Sequence, residues 1–189
     1  MLRRLSLLVV AILLSVSTQA SAQVAAISFN NNSAQLGYGF AIGGSNYGRM
    51  QFRTDFLYST NESYLLSPGI LLTDEVGSKA KGLKAGLGAK LYGGSIQNKE
   101  FEFLALGIGG MMRYALPMNR RVFFGADGYI APNILSAGAD LLYEVSLKAG
   151  FDVLPTASVF LEYRRYFLDA KNDSGTFEDG ARVGMELNF

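Results

Sequence analysis

Fourteen ionisable residues of the 189-residue chain stand at positions whose spacing would turn them all to one side of a sheet. The cations are Arg49, Arg53, Lys84, Lys90, Arg113, Lys148, Arg164 and Arg182. The carboxylates are Asp55, Asp127, Glu144, Asp152, Glu162 and Glu186. Such a set has two possible uses. In a wide water-filled bore it would select ions or solutes; in a narrow one the charges would neutralise one another, because a charge left unpaired away from water is costly. Catalysis is poorly served. The chain has no histidine and no cysteine, which removes Ser-His chemistry, thiolates and cysteine-bound zinc. Lys90 or Lys148 could in principle activate a serine, but no spacing points to one. The acidic stretch around Asp169, Asn172-Asp173-Ser174-Gly175 and Glu178-Asp179 lacks the fixed spacing of an EF-hand calcium loop and is expected to be a solvated loop. No enzyme activity, cofactor or metal is therefore expected, and a net charge of +1 leaves no basic footprint for nucleic acid.

The elements that carry these residues are strands. From Gly180 to Phe189 the odd positions are apolar (Ala181, Val183, Met185, Leu187, Phe189), and the even ones include Arg182, Glu186 and Asn188. Tyr143 to Val153 repeats the pattern against Glu144, Ser146, Lys148 and Asp152. A period of two with one apolar face describes a strand with different solvents on its two sides. The same alternation runs through Leu36 to Ile42, Met50 to Tyr58, Leu83 to Leu91 and Leu104 to Leu116. Val24 to Asn30, Tyr64 to Thr73, Val122 to Ile130 and Ala157 to Asp169 are weaker strands. About ten strands result, each near the 9–11 residues that cross a bilayer at a tilt. Gly43 to Asn46, Pro117 to Arg120 and Pro155-Thr156 are expected as tight turns on one rim. Asn31 to Ser33, Thr60 to Ser63, Gly93 to Glu100, Pro132 to Asp140 and Ala170 to Asp179 are expected as mostly longer, more polar loops on the other.

Two barrels share this period. A soluble ligand-binding barrel turns its apolar face inward, and a membrane barrel turns it outward to lipid. The polar face here is rich in glycine, as at Gly37, Gly39, Gly86, Gly88, Gly107, Gly109, Gly150 and Gly184. Glycine weakens a strand and benefits no open surface, but in a narrow lumen it makes room for long side chains. The expected fold is all-β: a closed antiparallel transmembrane β-barrel of about ten strands, with eight as the alternative. Closure is required because hydrocarbon offers no partner to a free sheet edge.

Arg3 and Arg4, the apolar run Leu5 to Val16 and the small residues Ala20-Ser21-Ala22 predict a secretory leader over residues 1–22, cleaved before a barrel of residues 23–189. Arg182, Gly184, Leu187 and Phe189 resemble the C-terminal pattern by which the barrel assembly machinery recognises its substrates. Gly125-Ala126-Asp127-Gly128-Tyr129-Ile130-Ala131-Pro132-Asn133-Ile134-Leu135-Ser136, followed by Tyr143-Glu144, resembles the YfaZ-type outer-membrane proteins. Gly86 to Tyr92 and Glu162-Tyr163-Arg164 are similar to further segments of that family. Asn133 and Arg165 depart from it, standing where an acidic and an aromatic residue are expected. The resemblance implies an outer-membrane barrel and carries over no catalytic residue.

The function expected is that of a small integral barrel of a Gram-negative outer membrane, its charged lumen filled by side chains, with a structural or surface-interaction role. The alternative is a narrow channel for ions or small solutes. Outer-membrane lipid and the assembly machinery are the expected partners, and no surface ligand is legible. Arg165 should either snorkel at a rim or follow a bulge that turns Tyr166 and Leu168 to lipid. Ile134 and Leu135 are expected to fold over the barrel mouth, with contact to lipid or a partner as the alternative. Tyr38, Tyr58, Tyr92, Tyr114 and Phe189 are expected in interfacial aromatic girdles.

Overall fold

The computed structural model describes residues 23–45, 48–60, 62–76, 82–96, 101–170 and 173–189; the expected leader, residues 1–22, lies outside the described residues. The strands are β1 (Gln23–Phe29), β2 (Ser33–Ser45), β3 (Gly48–Ser59), β4 (Tyr64–Glu75), β5 (Leu83–Ile96) and β6 (Phe101–Ala115), then β7 (Val122–Pro132), the two-residue β8 (Ser136–Ala137), β9 (Leu141–Leu154), β10 (Ala157–Ala170) and β11 (Asp173–Asn188). All pairings are antiparallel between chain neighbours, with β7 joining β9 directly, and β1 pairs with β11. The sheet closes on itself. Because β8 adds only a short pairing to Leu104 and Ala105 of β6, ten of the eleven strands form the wall. Gln23 and Phe189 seal the seam with reciprocal backbone hydrogen bonds of 2.9 and 3.0 Å.

Exposure runs opposite to that of a soluble domain. Glu144 and Ser146 are 0% exposed and Arg182 is 1% exposed, while Leu87 and Leu147 on the outer face are 77% and 57% exposed. The alternation of β9 explains this directly: Val145, Leu147, Phe151 and Val153 point out, and Glu144 and Ser146 point in. No helix among the described residues is long and apolar enough to cross a membrane.

One expectation about the rims changes. β5 continues through Ile96 and β11 begins at Asp173, so much of the expected Gly93–Glu100 and Ala170–Asp179 loops is strand. Alternation needs two different environments marked by residue type, and over 93–95 and 173–176 glycine and polar residues leave no such mark. The hydrogen-bond ladder continues there without the pattern. β10 stays paired to β11 as far as Ala170↔Asp173, with Phe177 as the extra residue of a bulge opposite Tyr166/Phe167. Across the barrel the β4–β5 ladder lapses at Ser67-Pro68, where proline has no N–H to give.

Arg165 lies on the outer face, half-exposed and 3.7 Å from Asp179, which also accepts from the Tyr163 hydroxyl. No register shift turns its neighbours to lipid: Tyr166 and Leu168 are buried inside. Tyr58 and Phe189 point outward as a girdle requires, and Tyr143 stacks on Phe167 with centroids 5.0 Å apart. Tyr92 is the exception. It is fully buried in the lumen, because strand parity, rather than nearness to a strand end, sets its direction.

Candidate functional site

The lumen has three levels, named here from the rim opposite the chain ends. At that distal end the inward positions are apolar. Leu57 of β3, Leu65 of β4, Phe103 of β6, Leu142 of β9 and Leu168 of β10 are each 5% exposed or less and pack together with Tyr92 and Tyr166. Ala139, from the segment between β8 and β9, is buried with them. The expectation that Ile134 folds over the mouth is corrected: it is 86% exposed, and Ala139 and Leu142 fill that place. An aliphatic cap inside the barrel was not foreseen. Its signal was parity, since Leu57 and Leu168 lie two residues from the inward Asp55 and Tyr166.

Beneath the cap lies a belt of charges centred on Glu144. Its carboxylate accepts from the Lys90 ammonium at 3.0 and 3.2 Å, from the Tyr92 hydroxyl at 2.6 Å and from the Tyr166 hydroxyl at 3.0 Å. Asp55 lies 3.7 Å from Lys90, and Arg164 lies 3.7 Å from Glu144. The chain brings these groups together because β3, β5, β9 and β10 each present a polar residue inward at this height. Arg164 donates to Glu162 and to the Gln35 side-chain oxygen, both at 2.7 Å. The same oxygen accepts from Arg182 at 2.7 Å, and Arg182 also donates to Glu178 at 3.3 Å and Ser33 at 3.1 Å. Charge-assisted bonds of this kind are stronger than neutral ones, and they compensate the close approach of two guanidinium groups. The Nε atoms of Arg164 and Arg182 have no partner among the described residues.

Toward the rim that carries Gln23 and Phe189, the third level is looser. Arg113 bridges Asp152 and Glu186 at 3.3 Å each and lies 3.7 Å from the Phe123 ring centroid. The Lys148 ammonium is 4.3 Å above Phe160. Asp127 accepts from Ser146 at 3.1 Å. Arg49 and Lys84 are exposed near the mouth, Lys84 at 4.0 Å from Glu75.

The inward glycines act as cradles for side chains of the neighbouring strand. A Cβ on Gly37 would stand 2.8 Å from Asp55 Oδ1, one on Gly69 2.8 Å from Lys90 Cγ, and one on Gly107 2.8 Å from Tyr92 Cε2. Those on Gly150 and Gly184 would enter the rings of Phe123 and Phe160. Aromatic rings are thus accommodated as well as cations.

Twelve of the fourteen residues singled out from the sequence line the enclosed lumen, and Arg49 and Lys84 stand at its mouth. Gln35, Tyr92, Tyr166 and Glu178 belong to the network without having been singled out. Glu178 was hidden by the expected loop, and Tyr92 by its proximity to a strand end. In the terminal pattern, Arg182 and Gly184 face inward, whereas Leu187 and Phe189 face out. Among the described residues no group of acidic side chains could hold a metal ion.

Comparison with solved structures finds similarity to a chain titled KdgM porin, at 9% identity, a TM-score of 0.46, and coverage of 89% of this chain and 99% of the other. The KdgM porin in complex with disordered oligogalacturonate is matched at 11% identity, 0.49, 89% and 99%. Neisserial surface protein A is matched at 14% identity, 0.34, 89% and 94%. No curated protein matches. The family described as YfaZ precursor matches residues 2–189. With essentially its whole length so matched, the chain belongs to the YfaZ family.

Proposed function

We propose that this protein is an integral barrel of a Gram-negative outer membrane, sealed by its own side chains, with a structural or surface-interaction role and no catalysis. The rim bearing Gln23 and Phe189 faces the periplasm, and residues 1–22 are the leader removed on export. Outer-membrane lipid covers the apolar exterior. The assembly machinery reads the terminal strand, on which Leu187 and Phe189 are turned outward. One observation carries this reading: at the charged belt the space left between side chains is a cavity of about 40 Å³, and the aliphatic cap closes the lumen beyond it. That volume holds a few waters at most.

Planar-bilayer recording on the purified, refolded barrel tests the seal, with unboiled electrophoresis as the check on folding. A heat-modifiable band without stable conductance steps is the expected result. Reproducible steps that disappear when the sample is boiled would favour the narrow channel instead.

A further inference from the structure

Below the belt the lumen widens into a vestibule of about 690 Å³, open at the rim of the chain ends. That is the size of pockets that hold small organic ligands. Arg53, Asp127, Lys148 and Glu186 line both the vestibule and the small cavity above it, so they form its blind end. Each of the two carboxylates there already has a donor. Glu186 accepts from Arg113, and Asp127 from Ser146. Arg53 and Lys148 differ. Neither makes a hydrogen bond, or an ion pair within 4.0 Å, among the described residues, although Asp55, Asp127 and Glu186 attract Arg53 and Glu162 attracts Lys148 at longer range. Lys148 rests on the Phe160 face, which leaves its N–H groups without acceptors. Arg53 is seated against Gly39, whose missing Cβ would lie 3.2 Å from the arginine Cγ. The two residues stand on β3 and β9, which lie opposite each other in the ten-strand ring. A guanidinium and an ammonium thus offer donors to one open chamber in which Glu186 and Asp127 already have donors of their own.

We propose that the vestibule is a binding site for a small organic anion, a carboxylate or a phosphate, whose charged end is received by Arg53 and Lys148. The arginine supplies a planar fork of donors suited to either oxyanion, and the lysine a compact point charge. The proposal rests on the reading argued above, which gives the chamber its closed inner end, while the two donors themselves do not depend on that closure.

The test uses the full barrel refolded in zwitterionic detergent and titrated calorimetrically at low salt. Inorganic phosphate and succinate represent the two anion classes, and putrescine is the cationic control. Saturable binding of one anion, or of both, is expected, and their ratio identifies the class. K148Q and R53Q should each weaken it roughly tenfold or more, as loss of a charge-assisted contact does, while R165Q on the outer face should change it less than twofold. Heat-modifiable migration checks that each variant folds; if R53Q does not, K148Q decides. The site is overturned if neither anion binds, if putrescine binds in their place, or if folded K148Q binds as tightly as wild type. Conductance is scored separately. Steps together with anion binding would remove the seal and leave the site, whereas a silent barrel that binds nothing removes only the site.

Discussion

Removing the charge at Glu144 is the sharpest perturbation of the belt. Glu144→Gln keeps the shape and one acceptor oxygen, but it replaces the other with an NH₂ where the Lys90 ammonium and the Tyr92 and Tyr166 hydroxyls now donate to a charged carboxylate. Breaking a buried ion pair by deleting one partner costs about 3–5 kcal/mol, because the other charge is left uncompensated. Here the loss is limited, since Lys90 keeps Asp55 at 3.7 Å and Arg164 keeps Glu162 at 2.7 Å. A destabilisation of about 3 kcal/mol follows, at the lower end of that range. Reversible urea unfolding in phospholipid vesicles measures it, followed by circular dichroism and unboiled electrophoresis because the chain has no tryptophan. Lys90→Met in the same background completes a double-mutant cycle with an expected coupling of about 1–3 kcal/mol. A folded Glu144→Gln barrel within about 1 kcal/mol of wild type, or strictly additive single variants, would refute Glu144 as the centre of the belt.

Three other outcomes follow from the same geometry. Gly150→Ala should destabilise by about 1–3 kcal/mol, since its methyl would enter the Phe123 ring, while Gly128→Ala on the outer face, with nothing within 4 Å, should stay within about 0.5 kcal/mol; equal effects in the same urea titration would contradict the cradle. Leu147→Arg, on the apolar belt, should cost about 2–4 kcal/mol in bilayers and far less in micelles, a contrast readable by unfolding in the two media. Nitroxides attached at Val145→Cys and Leu147→Cys should be relaxed by oxygen dissolved in lipid and protected from a water-soluble nickel reagent; the reverse accessibility would invert the sheet.

The direction of each strand face was legible because alternation records the boundary between the apolar exterior and the lumen, as at Val145/Ser146 and Leu147/Lys148. Where that boundary ends, so does the signal. Asp173 to Asp179 carries one apolar residue, Phe177, and so no alternation, and its pairing with β10 could be found only from the ladder. Parity alone located Tyr92 and Leu57 inside, but composition argued for girdle and lipid. The alternation distinguishes only two environments, whereas the lumen has three levels, the distal one aliphatic. The partners within the belt were illegible for a different reason. Lys90 and Glu144 are 54 residues apart, and only closure with the observed register brings them to 3.0 Å.

Gln35 joins Arg164 of β10 to β2 across the β1–β11 seam, and Arg182 of β11 reaches the same oxygen. None of these contacts can form while the sheet is still an open ribbon, so they are absent until the final zippering. Interactions made only after the rate-limiting step leave the speed of folding almost untouched and act on escape from the native state. The arginine pair is thus placed as a latch on the finished cylinder, and where closure follows the rate-limiting step its removal should quicken opening more than it slows assembly.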